Sequence, residues 1–173
     1  MYEGEGSSFA TTRKSGNILP INIIRYVSTI LGETKKMLTS WIISTWLATA
    51  GCGINCASGV IANLKVESKL EHCIVTKSGA ALAQWAGARK QRLMREHPDW
   101  CTRPTSQLEF LVHELKEIGT WESLKRSPSP EAAARQFMLE FERPRSQGYG
   151  AQQYREGIAR SVQMELRNNG ITP

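Results

Sequence analysis

The residue of this sequence best placed to do chemistry is Glu67. Residues 55–69 read as a helix in which Val60, Asn63, Leu64 and Glu67 share a stripe, while Ser58, Lys65 and Lys69 fall elsewhere. Glu67 is thereby predicted on the core side, close to the helix C-terminus. The partial negative charge of the last carbonyls and desolvation by Val60 and Leu64 both disfavour an ionised carboxylate there. A carboxyl that keeps its proton near neutral pH can serve as a general acid, for example toward the departing oxygen of a glycosidic bond. Spacing alone favours a plainer reading, a last-turn Glu reaching out to water, because Glu is rarely fully buried.

Other chemistries are poorly provided for. His72, His97 and His113 have no hydroxyl or thiol partner at a recognisable spacing, which disfavours a triad hydrolase. Cys73 adjoins His72, but neighbours along a chain point apart and no nucleophile signature surrounds them. Cys52 and Cys56 stand four apart, yet no His or second Cys pair lies at ligand spacing, so zinc is disfavoured and neither metal nor cofactor is expected. The four cysteines leave pairing open. A chain of this length does not need a disulfide framework, and buried free thiols are the commoner outcome.

The elements that must hold Glu67 follow from periodicity. Residues 37–50 place Leu38, Ile42, Trp46 and Ala50 at helical spacing and stop at Gly51. The uncharged run 37–64 is long enough to raise a membrane span, but Gly51, Gly53, Asn55 and Asn63 interrupt it, and two buried helices are predicted instead. Residues 70–84 read as a loop or small hairpin, followed by a basic helix at about 87–97. Leu108, Leu111, Val112, Leu115 and Ile118 form one face of a helix ending at Gly119. Ser129, Pro130 and Glu131 give an N-cap, a first-turn Pro and an acidic first turn for a helix through Phe137 and Phe141, ended by Pro144. Tyr154, Ile158, Val162 and Leu166 predict a last amphipathic helix.

Composition sets outer bounds. With 40% apolar and 22% charged residues among 173, the chain suits one globular domain with short appendages. A net charge of +6 and a pI near 9.3 favour an anionic partner. The basic residues are scattered without aromatic interleaving, so nucleic acid is not expected. The opening MYEGEGSSFATTRKSGN carries early acids and no apolar run, unlike a secretory signal, and reads as a flexible arm. Pro20 opens an apolar stretch, INIIRYVSTIL, that periodicity leaves open between helix and strand.

Two runs of sequence together resemble a known family. GVIANLKVESKL followed by SGAALAQWAGARKQRL is similar to the signature of the phage tail lysozymes, in Gly59, Asn63, Leu64, Glu67, Ser68, Leu82, Ala83, Gln84, Trp85, Gly87 and Arg89. QLEFLVHEL and EAAARQFMLEFERP resemble the family's later helices, so the similarity spans about residues 40–145. Ala81 stands where the family usually has Gly, and KLEHCIVTKS departs from its usual Asn/Pro wording.

The resemblance implies a mainly helical, lysozyme-like domain with a small loop or hairpin segment beside an active-site cleft. It divides the chain into an arm at 1–36, a catalytic domain at 37–145 and a C-terminal amphipathic helix at 146–173. It implies a muramidase acting on peptidoglycan glycan strands, carried in a virion with other phage proteins and opening the wall during genome entry. A lytic transglycosylase and a catalytically weak assembly protein are the alternatives. Glu67 becomes the catalytic acid, and Ser68, Gln84, Trp85 and Arg89 become candidate substrate contacts: an amide for N-acetyl groups, an indole for a sugar face, a guanidinium for a lactyl or peptide carboxylate. Hydrolysis needs a second carboxylate, for which Glu71, Glu114 and Glu142 are the candidates. A transglycosylase needs none, because the substrate's own hydroxyl attacks.

Overall fold

A computed structural model describes residues 38–144 and 148–171, so the predicted arm at 1–36 and its apolar stretch lie outside the described residues. In chain order the helices are α1 (Ser40–Thr49), α2 (Ile54–Ser68), α3 (Gly87–Glu96), α4 (Thr105–Glu117), α5 (Trp121–Lys125), α6 (Pro130–Phe137) and α7 (Tyr149–Asn168). A π-helical turn, Met138–Glu142, prolongs α6. Among the described residues the loop between α2 and α3 carries only isolated antiparallel bridges, Val75 to Ala80 and Ala80 to Trp85. The fold is mainly helical, as predicted.

Helix α2 is the axis of the domain. It packs against α6 and α7, which also pack on each other, and against α1 on a further side. A helix enclosed on several sides cannot keep a single apolar stripe. Ser58, predicted off the core face, is therefore fully buried along with Cys56, Val60, Ile61 and Leu64. The tightest approach is at Gly59, where a Cβ would come within 3.0 Å of both Ala133 and Ala134 of α6. Only glycine lets the two helices meet this closely.

Two predicted helix faces are displaced. In α1 the buried residues are Ser40, Ile43, Ser44 and Leu47, not Ile42, Trp46 and Ala50, which pack at the margin; Leu38 is buried but precedes the helix. The segment SWIISTWLAT is apolar on most faces, so periodicity could not choose, and the small serines on the buried side let α1 lie close to its neighbours. Thr39 begins the helix by accepting a hydrogen bond from Ile42 N at 3.2 Å. In α7 the buried residues are Arg155, Ala159, Val162 and Leu166, whereas Tyr154 is exposed and Ile158 sits at the edge. Helix α5, with Trp121 and Leu124 buried, was not anticipated. Helix α6 begins as predicted, with Ser129 accepting from Ala132 N and Pro130 in its first turn.

The cysteines correct the expectation of free thiols. Cys52 pairs with Cys56 and Cys73 with Cys101, with Cα atoms 5.5 and 4.7 Å apart, inside the range a disulfide spans. The first links the approach to α2 with its opening turn. The second ties the loop after α2 to the segment leading into α4. Gln107 of α4 strengthens that tie: its carbonyl accepts from Leu82 N at 2.9 Å, and its amide donates to the carbonyls of His72 and Trp100 at 2.6 and 2.7 Å. The uncharged run becomes α1 and α2, turning at Gly51 with φ of 85°. Among the described residues no helix is long and apolar enough to cross a membrane.

Candidate active site at the carboxyl end of the central helix

Glu67 occupies the last turn of α2, and the chain leaves it abruptly. Lys69 and Leu70 both adopt left-handed backbone, with φ of 56° and 65°, a conformation that costs a non-glycine residue about 1–2 kcal/mol. The helix thus stops beside its carboxylate. The Glu67 side chain is 22% exposed, and its Oε1 accepts a 2.6 Å charge-assisted hydrogen bond from Arg155 of α7. Oε2 has no hydrogen-bond partner among the described residues. Arg155 is itself buried, and its Nε donates to Asn63 Oδ1 at 2.8 Å. The Asn63 amide in turn donates to the carbonyls of Gly59 and Ala134 at 2.9 and 3.0 Å. One connected set of polar groups therefore joins α2, α6 and α7 and points a guanidinium at Glu67.

Glu142 lies within electrostatic reach of Glu67. It ends the π-helical turn after α6, where Arg143 takes left-handed backbone with φ of 47° and donates its N–H to Met138 O. Its Oε1 is enclosed and receives no hydrogen bond. Burial pushes the Glu142 carboxyl well above the usual carboxylate range, the charge of Glu67 pushes it further, Arg89 and Arg155 oppose this, and Glu114 adds to it. Glu142 makes no ion pair among the described residues.

The other predicted site residues fall into different roles. Glu114 is buried and firmly held: Trp85 Nε1 donates to Oε2 at 2.6 Å, and Arg89 grips both oxygens at 2.9 and 2.8 Å. With three of its roughly four acceptor positions taken and the side chain buried, it serves as a brace and not as a holder of water. Trp85 is 1% exposed and packs edge-on against Phe110 at 5.5 Å, so the expected sugar platform is a core aromatic whose faces are covered. Arg89 lies 4.4 Å over the Phe141 ring and pairs with Glu114, so its charge is spent within the fold. Ser68 is buried and donates to Leu64 O at 3.0 Å, closing its own helix. Gln84 stands in left-handed backbone, donates to Ala81 O at 3.0 Å and accepts from Thr76 Oγ1 at 2.7 Å. Glu71, just beyond the end of α2, is half-buried and makes no ion pair among the described residues.

Of the candidates, Glu67 and Glu142 lie within electrostatic reach of each other, with Glu114 and Arg89 as neighbours in charge. Sequence reasoning missed Arg155 and the structural work of Asn63. A signal was present: residues 155, 159, 162 and 166 are spaced as a helix face, and an Arg in that register demands a buried carboxylate opposite. Choosing the most apolar register, through Tyr154, hid it.

A helical domain built around one buried helix, with a carboxylate at that helix's carboxyl end, has the design of a lysozyme-like glycosidase. The phage tail lysozyme family matches residues 39–166, and the chain belongs to that family. The match runs from α1 through most of α7, so the helix that supplies Arg155 is included. No curated protein and no solved structure matches the chain. The protein is thus a phage lysozyme-like protein acting on peptidoglycan.

Proposed function

We propose that the chain is a muramidase that cleaves MurNAc–GlcNAc linkages, with Glu67 as the carboxyl group that exchanges a proton with the glycosidic oxygen. The observation that carries this reading is the partly exposed Glu67 at the end of α2, one oxygen fixed by Arg155 and the other without a partner among the described residues. General acid catalysis needs a positioned carboxyl oxygen within reach of the leaving group, and Oε2 is that oxygen. The net charge of +6 suits a carboxylated wall polymer. Within the virion, together with other phage proteins, such an enzyme would open the wall locally for genome entry.

A transglycosylase is the second reading, and one observation favours it. Glu114 is buried and already accepts three hydrogen bonds, which removes one of the three sequence candidates for holding an attacking water. Mass spectrometry of muropeptides after digestion separates the readings. Reducing ends support the muramidase, 1,6-anhydro ends the transglycosylase, and absence of any product from wild type rejects both in favour of an assembly role.

A further inference from the structure

The buried face of α7 is Arg155, Ala159, Val162 and Leu166. Three of these four are apolar, and an apolar residue at 155 would continue the pattern. Stability alone is a poor reason for an arginine there, because the desolvation of a buried ion pair cancels much of its attraction and apolar replacements of such pairs are often neutral or stabilising. The Arg155 side chain is nonetheless only 8% exposed, and it is held on two sides.

The hold is a chain of fixed contacts that begins in the backbone. Gly59 lets α2 and α6 approach closely, which brings the Ala134 carbonyl within reach of Asn63. Asn63 spends its amide nitrogen on two carbonyls, Gly59 O of its own helix at 2.9 Å and Ala134 O of α6 at 3.0 Å. Its orientation is thereby set, with Oδ1 turned toward α7. Arg155 Nε donates to that oxygen at 2.8 Å, and Nη2 donates to Glu67 Oε1 at 2.6 Å. Asn63 and Glu67 stand one helical turn apart on α2, so one edge of the planar guanidinium spans both. A fork gripped at two points cannot swing, and the carboxylate it holds cannot swing either.

We propose that Arg155 is a positioning residue for the reaction at Glu67: anchored through Asn63 to the backbone of α2 and α6, its guanidinium fixes the Glu67 carboxyl by Oε1 and leaves Oε2 as the oxygen that meets the substrate. Helix α7 is then part of the active site and not an appendage to it. A reacting group gains rate from being held in one geometry before the substrate arrives, and a misplacement of about 1 Å costs up to about a hundredfold.

The inference rests on the proposed role of Glu67, and the experiment separates the two. Full chains carrying Arg155→Met, Arg155→Lys, Glu67→Gln, and Glu67→Gln together with Arg155→Met are shown to be folded at the assay temperature by circular dichroism. Their kcat and KM are measured on soluble peptidoglycan fragments. Arg155→Met is expected to lower kcat about tenfold or more with KM within about twofold, because the loss falls on the reacting geometry and not on ground-state binding. Added to Glu67→Gln, it is expected to cost less than about a further twofold, since a residue that acts through Glu67 then has nothing left to position. Arg155→Lys keeps a cation for Glu67, but its one nitrogen cannot also hold Asn63; its kcat should fall between those of Arg155→Met and wild type, and it decides the matter if Arg155→Met does not fold. A wild-type kcat in either folded variant, a loss carried by KM, or an equal loss with and without Glu67→Gln overturns the proposal. Full activity of Glu67→Gln, or none in wild type, overturns the catalytic assignment instead. Crystal structures of wild type and the folded variant then still decide whether Arg155 holds Glu67, and a single, unchanged Glu67 rotamer in both means that it does not.

Discussion

Two arginine–glutamate pairs lie close together in this molecule, and they are built differently. At the Trp85–Arg89–Glu114 knot the carboxylate receives three hydrogen bonds, two from a guanidinium and one from an indole, and is enclosed. At the carboxyl end of α2 the Glu67 carboxylate receives one, on one oxygen, and is part open. A buried carboxylate gripped by three hydrogen bonds holds elements together, because any change in its charge strands its partners. An under-coordinated one can take on a proton or a substrate. The family resemblance brings Glu67, Trp85 and Arg89 forward as one site; the structure divides them between the carboxyl end of α2 and a brace.

The largest effect expected is at the brace. Glu114→Ala leaves the Trp85 N–H without its acceptor inside the core and the Arg89 charge without its partner. Breaking a buried pair of this kind costs about 3–5 kcal/mol, with the lower end expected because the Arg89 side chain is 39% exposed and can turn to water. Urea denaturation measures it. A loss below about 1 kcal/mol would place the knot among ordinary surface pairs and dissolve the contrast.

At the carboxyl end of α2 the ordering of effects reverses if Glu67 is the proposed acid. Glu67→Gln is expected to lower the clearing rate about a hundredfold or more, the usual share of general acid catalysis, while stability changes by under about 1 kcal/mol because the amide oxygen still accepts from Arg155. Retention of more than about a tenth of the wild-type rate would remove Glu67 from the chemistry. Arg155→Met lies between the two. It leaves Asn63 Oδ1 buried without its donor and frees the Glu67 side chain, and is expected to cost about 1–3 kcal/mol. Full stability would show that water replaces the guanidinium without penalty.

A pH effect follows from Glu142. A carboxyl whose folded value is raised above its unfolded value stabilises the fold fully below the unfolded value and loses that contribution as pH rises through the folded one. Wild-type stability should therefore decline on the alkaline side of the ordinary glutamate range, and Glu142→Gln should flatten the decline. Thermal melts from pH 4 to 9 read this directly.

What was legible in the sequence was what local physics controls. The caps of α6, the end of α1 at Gly51 and the place of Glu67 in the last turn of α2 all come from near-neighbour chemistry. What was not legible depends on contacts between distant segments. Whether Trp85 lies open or buried is decided by Glu114, twenty-nine residues away, and the face of α7 by Glu67, eighty-eight away. The pairing of Cys73 with Cys101 is of the same kind, since it follows from how the loop is drawn onto α4. Ala81 shows the converse, a local oddity that made sense only in three dimensions: where the family usually has Gly, it holds φ of 67°.

The smallest expected effects concern that backbone. Lys69, behind Glu67, and Ala81, in the loop held by Gln107, both adopt left-handed conformations. Glycine relieves about 1–2 kcal/mol of strain at such positions, but returns about 0.4–1 kcal/mol as extra freedom of the unfolded chain. Lys69 is exposed, so nothing else enters, and Lys69→Gly should stabilise by about 0.5–1 kcal/mol. Ala81 is fully buried, and removing its methyl forfeits about 0.8 kcal/mol more, so Ala81→Gly should be near neutral. Paired urea titrations of the two variants decide the point. A gain at Ala81 larger than at Lys69 would mean that the strain is stored in the loop and not behind Glu67, and that the turn ending α2 is relaxed in spite of its two left-handed residues.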